Sequence, residues 1–257
     1  MVKIVVPNWI EDETLARLSA HGDVVTSEGR DPLADDELRA ACADASALMA
    51  FMTECVDRPF LDACPKLKII AGALKGFDNL DQRACTDARV LLTYVPNLLT
   101  EPTAELAIGL SIALALNMRA GDAHLRSGTF AGWRPNFYGG SLQGATVGII
   151  GGGAVGRETM RLLSGFRGRR IYFDENRLDP TTEKALDAQY APLDDLTRLS
   201  DFIILALPLT DQTKHIVNVS FLAAMKQGTY LVNPARGSLV DEAAVVEALN
   251  TGRLAGY

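Results

Sequence analysis

Val147-Gly-Ile-Ile-Gly151-Gly-Gly153-Ala-Val-Gly156 is the stretch that decides how the second half of this chain folds. It matches the pattern G-x-G-x-x-G, with an apolar strand before it and an amphipathic helix after it. In that setting Gly151 allows a tight turn, Gly153 allows a pyrophosphate to come close, and Gly156 lets the helix pack on the strand. The stretch therefore predicts a dinucleotide-binding loop.

The strand predicted next, 170–174, ends in Asp174, 18 residues after Gly156. A carboxylate at this place accepts hydrogen bonds from both ribose hydroxyls of NAD and repels the additional phosphate of NADP. Glu175 follows directly and strengthens the repulsion, whereas Arg177 is a nearby cation that could offset it. The predicted cofactor is therefore NAD.

Outward from this loop, short runs rich in Val and Ile alternate with amphipathic runs along the whole chain. Such alternation predicts parallel sheets with helices on both faces. The expected fold class is α/β, with two Rossmann- or flavodoxin-like doubly wound parallel-sheet domains. The predicted strands are 3–7, 23–27, 47–52, 67–74 and 90–95, then 146–150, 170–174, 202–207 and 229–233.

The domain boundary is predicted between residues 99 and 100, which gives domains 1–99 and 100–257. A long linking helix is expected from about 102 to 127, because Thr100 suits its cap and Pro102 its first turn. Gly128 would end that helix. An aromatic loop rich in Gly and Pro follows it at 133–140.

Composition excludes several classes of protein. The 257 residues are 48% hydrophobic, which is enough for a core, and the net charge of −7 disfavours binding to a nucleic-acid backbone. The most apolar run, 106–116, is too short to cross a bilayer, and no signal peptide is evident at the N-terminus. The four cysteines lack metal-site spacing, so we expect free thiols, no bound metal and a cytoplasmic location.

Two further predicted strands end at the edge that carries the glycine loop. One runs into Leu207 and Pro208, and the other into Asn233-Pro-Ala-Arg236-Gly. Ligands of open α/β sheets lie beyond the carboxyl ends of the strands, so Arg236 should lie near the nicotinamide end of the cofactor. Its planar guanidinium suits a carboxylate or another oxyanion.

Together these motifs resemble the NAD-dependent D-2-hydroxyacid dehydrogenase family over essentially the whole chain. The motifs that carry the resemblance are Gly151–Gly156, Leu207-Pro208, Asn233–Gly237 and Asp241-Glu-x-Ala-Val. Within that family, the motifs resemble the phosphonate (phosphite) dehydrogenase branch more closely. The branch motifs are Ala50-Phe-Met52, Cys64-Pro-x-Leu67, Ala73-Leu-Lys75-Gly-Phe-Asp-Asn79, Val95-Pro, Leu98-Leu-Thr-x-Pro-Thr-Ala-Glu105 and Ser127-Gly-x-Phe-x-Gly-Trp133-x-Pro-x-Phe-Tyr-Gly139.

The resemblance implies a substrate-binding (catalytic) first domain and an NAD-binding second domain. Lys75 follows the predicted strand 67–74 and should face the cleft between the domains, where it and Arg236 would hold a small, doubly charged oxyanion as the catalytic pair. The implied substrate-binding residues are Met52, Leu74, Lys75, Gly76, Leu99 and Arg236. The implied cofactor-binding residues are Thr103, Gly151, Gly153, Ala154, Val155, Gly156, Asp174, Leu207, Pro208, Pro234, Ala235 and Arg236.

The implied reaction is oxidation of phosphite to phosphate, with hydride transfer to NAD⁺ and attack of water on phosphorus. The family carries a glutamate and a histidine downstream of the arginine, and this sequence ends at Tyr257, before their positions. We therefore expect the second domain to be incomplete at its C-terminus. His21, His124 and His215 match no catalytic position and are interpreted as structural or solvated.

Two alternatives remain beside phosphite oxidation. One is a D-2-hydroxyacid dehydrogenase of another specificity, which would tolerate loss of Lys75 better. The other is a catalytically incomplete NAD-binding fragment, which would bind NAD without turnover. The resemblance also implies a homodimer, with the helix at 102–127 and the loop near Trp133 as contact surfaces.

Overall fold

The chain forms two compact units, residues up to Leu99 and residues from Thr100 onward. They are described by a computed structural model that covers residues 2–257. Each unit is an α/β structure built on one parallel sheet. The two doubly wound domains expected from the alternating pattern are therefore present.

The first unit has a five-stranded sheet in the order β2-β1-β3-β4-β5, in which every strand pair is parallel. This is the flavodoxin-like doubly wound order. The strands are β1 Lys3–Val6, β2 Asp23–Thr26, β3 Ala47–Ala50, β4 Ile69–Gly72 and β5 Leu91–Thr93. The helices are α1 Asp12–Ser19, α2 Asp35–Cys42, α3 Arg58–Ala63 and α4 Gln82–Asp87.

The second unit has a six-stranded parallel sheet in the order β11-β10-β9-β6-β7-β8. Its strands are β6 Thr146–Ile150, β7 Arg169–Phe173, β8 Ala188–Tyr190, β9 Phe202–Leu205, β10 Thr229–Val232 and β11 Leu254–Gly256. Its helices are α5 Thr100–Ala115, α6 Met118–Arg126, α7 Ala154–Leu162, α8 Pro180–Leu186, α9 Leu193–Leu199, α10 Val219–Ala224 and α11 Glu242–Asn250. The short strands β8 and β11 and helix α8 add to the predicted series.

Burial on both faces of the second sheet explains why its strands are mostly apolar. Val147, Ile149 and Ile204 join one core cluster with α5 and α7. Ile150 and Ile203 face the opposite cluster, which contains α9, α10 and α11. Successive side chains of a strand point to opposite faces, so a strand covered on both sides favours apolar residues on both of them. The first sheet has a core of the same kind around its central strands.

The long helix predicted from about 102 to 127 is wrong, because α5 and α6 are separate helices bent by 66°. Asn117 between them adopts the left-handed conformation, with φ 50° and ψ 37°. Its side-chain amide donates to the carbonyl oxygens of Phe137 and Tyr138, both at 3.2 Å. A Cβ on Gly139 would lie 1.9 Å from the Ala115 carbonyl oxygen, so this segment packs directly on the break. A tertiary contact with this segment therefore ends α5.

No single helix formed by residues 2–257 is both long enough and apolar enough to span a membrane. Only α5 and α6 taken together reach the length and hydropathy of a span, and the bend separates them.

Candidate functional site

The central strand of the second unit, β6, lies between β9 and β7, where the direction of chain progression across the sheet reverses. Such a reversal opens a crevice at the carboxyl ends of the strands. The residues that follow β6, β7, β9 and β10 therefore meet at one edge. They include the glycine loop, Asp174, Leu207 and the segment around Arg236.

Two glycines of the loop are required by the fold itself. Gly151 has φ 113°, and a Cβ there would lie 2.2 Å from the Ala206 carbonyl oxygen. A Cβ on Gly156 would lie 1.9 Å from the Gly151 carbonyl oxygen. Backbone atoms cannot move aside cheaply, so any side chain at either position distorts the turn between β6 and α7.

Gly153 differs, because a Cβ there would meet nothing within 4 Å. It is the N-cap of α7, and no side chain caps that helix end. Ala154 and Val155 form the first turn and are half-buried. An uncapped helix N-terminus beside an open glycine is a cradle that an anionic group fills without displacing protein atoms. The loop therefore fits the pyrophosphate of a dinucleotide.

Asp174 lies beside this loop, just beyond β7. Its Oδ2 accepts from the Gly152 N–H at 2.6 Å, and its Oδ1 accepts from the Asn176 N–H at 2.8 Å. A carboxylate can accept about four hydrogen bonds, so both oxygens keep capacity for further donors. Ribose hydroxyls are donors of the right kind, and the two backbone bonds orient the carboxylate for them.

Arg177, the cation that could offset the acidic strand end, is held by other groups. Its guanidinium donates to both carboxylate oxygens of Glu183, at 2.8 and 3.0 Å. Glu183 Oε1 also accepts from the buried Tyr172 hydroxyl at 2.8 Å. Arg177 and then Tyr172 lower the pKa of Glu183, while burial, followed by Glu183, raises the pKa of Tyr172 to about 12. In this Tyr172–Glu183–Arg177 group, the Arg177 guanidinium is therefore paired with the Glu183 carboxylate.

Releasing Arg177 should weaken the preference for NAD over NADP. We expect Glu183→Gln, which keeps an acceptor for Tyr172 but removes the charge, to raise the NADP/NAD ratio of kcat/KM by about tenfold. The check is steady-state kinetics with both cofactors. Arg177→Ala is the matched control. If the double variant Glu183→Gln/Arg177→Ala keeps the raised NADP/NAD ratio, Arg177 is not its source.

The segments after β9 and β10 complete this edge of the sheet. Leu207 is half-buried and Pro208 is exposed. Asn233 closes the turn after β10, since its Nδ2 donates to the Arg236 carbonyl oxygen at 2.8 Å and its Oδ1 accepts from the Ala235 N–H at 3.2 Å.

Pro234, Ala235 and Arg236 in that turn are all half-buried, and Arg236 Nη1 donates to the Ala235 carbonyl oxygen at 2.9 Å. Thr103 is half-buried in the first turn of α5, a helix that packs on α7 and β10.

In the first unit, the predicted substrate residues follow two neighbouring strands. Met52 comes after β3, and Leu74, Lys75 and Gly76 come after β4, so all four lie toward the carboxyl edge of that sheet. Leu74 is buried and Lys75 is half-buried. Burial lowers the pKa of the Lys75 ammonium below that of an exposed lysine. Leu99 is the last residue of this unit and is exposed.

Sequence reasoning missed Glu54 and Asn79, which lie in the same two segments after β3 and β4 as the predicted substrate residues Met52 and Lys75. Glu54 is 4% exposed, and Asn79 Oδ1 is buried without a hydrogen-bond partner among residues 2–257. A buried acceptor left unpaired costs about 1–3 kcal/mol. The acidic residue inside a strand-end loop was the available signal, but one of its partners, Asn8, lies 46 residues away in the chain.

The histidines lie apart from the predicted site residues in sequence. His124 on α6 has its ring centroid 6.2 Å from that of Phe130 and 5.6 Å from that of Phe137. His215 has φ 52° and donates its backbone N–H to the Ser238 carbonyl oxygen at 2.9 Å. Residues 2–257 contain no group of three or more His, Cys, Asp or Glu arranged to hold a metal ion.

Comparison with known proteins finds a family model described as D-isomer specific 2-hydroxyacid dehydrogenase, NAD binding domain, which matches residues 108–257. A curated relative named glyoxylate reductase, from Thermococcus onnurineus, is 36% identical over 259 residues. The match covers 99% of this chain and 77% of the relative.

Solved structures agree with that match. A glyoxylate reductase from Paecilomyes thermophila is 29% identical with a TM-score of 0.83. The match covers 99% of this chain and 79% of the glyoxylate reductase chain. The apo D-lactate dehydrogenase from Escherichia coli is 27% identical with a TM-score of 0.83, and covers 99% and 80%.

Proposed function

The chain belongs to the D-isomer specific 2-hydroxyacid dehydrogenase family, whose members are NAD-dependent oxidoreductases, and we propose that within this family it oxidises phosphite. The proposed reaction joins phosphite, water and NAD⁺ and yields phosphate, NADH and a proton. The P–H bond breaks with its electron pair, and a P–O bond to the water oxygen replaces it. Bound NAD⁺ would supply the hydride acceptor.

The observation that carries this proposal is Lys75. It lies just beyond β4, is half-buried, and has a pKa that desolvation lowers. A partly desolvated ammonium is a compact point charge that interacts strongly with an anion. A doubly charged oxyanion such as phosphite gains more from it than a singly charged 2-hydroxy acid does.

Arg236 is the second proposed ligand of the substrate. The half-buried turn that Asn233 closes supports its backbone next to the carboxyl end of β10. Its planar fork can bind two oxygens of the oxyanion, and its charge offsets the negative charge that develops when water attacks phosphorus. The uncapped N-terminus of α7 and Asp174 would hold and orient the cofactor.

The second candidate is a D-2-hydroxyacid dehydrogenase of another specificity. It is favoured by three curated relatives named glyoxylate reductase, which are 34–38% identical to this chain. In that reaction Arg236 would bind the carboxylate, and Lys75 would be dispensable.

The two candidates differ in the ratio of kcat/KM for phosphite with NAD⁺ to that for glyoxylate with NADH. We expect phosphite to be preferred by at least about 100-fold, since one extra charge contact is worth roughly 3 kcal/mol. A preference for glyoxylate would assign the second candidate. NAD binding without turnover of either substrate would identify the chain as a catalytically incomplete fragment.

Assembly as a homodimer is also part of the proposal. Helix α5 buries Ala104 and Ala107 yet exposes Leu106 and Leu110, and a helix that is apolar all round is normally covered. The loop after α6 adds Trp133, which is 73% exposed. Sedimentation at micromolar concentration should give twice the 27.7 kDa chain mass. A monomer would refute this part.

Location in the cytoplasm remains a proposal as well. Cys42, Cys55, Cys64 and Cys85 are all free thiols, as a reducing compartment favours. Fractionation of the source cells would test it, and recovery with the external fraction would contradict it.

A further inference from the structure

We propose that Glu54 and Asn79 are positioning residues of the substrate site, because together they tie the loop that carries Met52 to the loop that carries Lys75. The first loop, residues 51–55, follows β3, and the second, residues 73–79, follows β4. The inference rests on the proposed function, which makes Met52 and Lys75 substrate-binding residues.

Glu54 supplies a buried carboxylate that fixes the Met52 loop from inside. Its Oε2 accepts from the Phe51 N–H at 2.5 Å. Its Oε1 accepts from the Thr53 hydroxyl at 2.5 Å and from Asn8 Nδ2 at 2.8 Å. Asn8 comes just after β1, so one side chain joins the carboxyl ends of β1 and β3.

Asn79 connects this arrangement to the Lys75 loop. Its Nδ2 donates to the Phe51 carbonyl oxygen at 2.8 Å and to the Glu54 carbonyl oxygen at 2.7 Å. The Asn79 carbonyl oxygen accepts from the Val56 N–H at 2.9 Å. Both donors of the amide are used, so its orientation is set by two carbonyl oxygens on either side of Met52.

The Lys75 loop is held at its other end by the sheet. The Ala73 N–H donates to the Ala50 carbonyl oxygen at 2.8 Å, and the Val95 N–H donates to the Leu74 carbonyl oxygen at 2.9 Å. Lys75 thus lies between a strand end and Asn79. A loop fixed at both ends presents its cation with little conformational freedom, which is how a small anion gains affinity.

A carboxylate is needed at position 54 because two of the three groups that face it, the Phe51 N–H and Asn8 Nδ2, can only donate. The isosteric Glu54→Gln change places an amide NH₂ against at least one of these donors and leaves a buried bond unmade. The consequence is a shift of residues 51–53 and, through Asn79, of the Lys75 loop. The cofactor residues lie in the other unit and keep their surroundings.

The experiment measures KM and kcat for phosphite and NAD⁺, together with the Kd of phosphite by titration calorimetry. Glu54→Gln should raise the KM and Kd of phosphite by at least about tenfold and leave the NAD⁺ KM within about twofold. Glu54→Asp, which keeps two acceptor oxygens, should recover part of the loss.

Asp57→Ala is the matched control. Asp57 caps α3 by accepting from the Phe60 N–H at 2.9 Å, so its loss lowers the melting temperature without touching either loop. Thr53→Val removes one exposed donor to Glu54 and replaces Glu54→Gln if that variant does not fold; it should raise the phosphite KM several-fold.

An unchanged phosphite KM and Kd in Glu54→Gln or Thr53→Val would overturn the inference, even with a lower melting temperature. Wild-type protein that turns over glyoxylate alone would instead refute phosphite oxidation, and the same variants would then be compared for the glyoxylate KM. If wild-type protein neither binds nor turns over either compound, the proposed function fails and this inference fails with it.

Discussion

Lys75→Ala should lower kcat/KM for phosphite by about 100- to 1,000-fold, because it leaves a charge of the oxyanion without its partner, a loss worth roughly 3–4 kcal/mol. Most of this loss should lie in KM. The NAD⁺ KM should change little, since the proposed cofactor residues lie in the second unit. Steady-state kinetics with each substrate varied in turn gives both numbers.

The matched control is Lys68→Ala. Lys68 is exposed and lies just before β4, at the opposite end of the strand from Lys75. Lys68→Ala removes the same charge from the same unit. It should leave kcat/KM for phosphite within about twofold of the wild-type value, because distant surface charges are screened. An equal loss in both variants would mean that net charge, and not contact with substrate, attracts phosphite.

We expect the same lysine to set an alkaline limit on phosphite affinity. Only the protonated ammonium attracts an anion, and desolvation lowers the pKa of Lys75. Phosphite affinity should therefore decline as pH rises through that pKa, beginning below the pH at which an exposed lysine loses its proton. In Lys75→Ala this decline should be absent.

Gly153→Val should raise the Kd of NAD by at least about 100-fold while leaving the melting temperature within about 2 °C. A Cβ at this position meets no protein atom within 4 Å, and its φ of −66° suits any residue. The added side chain therefore occupies only the space in which we expect the pyrophosphate. Calorimetric titration with NAD and thermal unfolding measure the two effects separately.

Gly156→Ala is the contrasting variant. Its Cβ would lie 1.9 Å from the Gly151 carbonyl oxygen, so α7 must move away from β6. Overpacking of this kind costs about 1–3 kcal/mol, or roughly 2–12 °C in a unit of this size. If Gly153→Val lowered the melting temperature as far as Gly156→Ala, Gly153 would be a packing residue and not part of a cofactor cradle.

Strands buried on two faces are the part of this fold that sequence predicts best, because covering both sides favours apolar residues at most of their positions. Ile149 and Ile150 show this on β6, where they face opposite clusters. The strands β8 and β11 have only three residues each, which is too short for any periodic pattern. Their pairing is decided by the neighbouring strands β7 and β10.

Contacts distant in sequence account for what could not be predicted. The helix break at Asn117 depends on residues near Phe137. An asparagine inside an apolar run does not by itself indicate such a contact. Glu54 likewise depends on Asn8, 46 residues away. The glycine loop was predictable because its requirements are local: a turn, an open N-cap and a close crossing of α7 over β6.

Phosphite oxidation requires that the hydrogen on phosphorus passes to the cofactor, and isotopic labelling follows this transfer. The protein would be incubated with NAD⁺ and phosphite that carries deuterium on phosphorus, and the reduced cofactor would be analysed by mass spectrometry. We predict NADH that is one mass unit heavier, formed in equal amount with phosphate. Absence of labelled NADH, together with oxidation of unlabelled NADH by glyoxylate, would contradict phosphite oxidation and assign the chain to hydroxyacid chemistry.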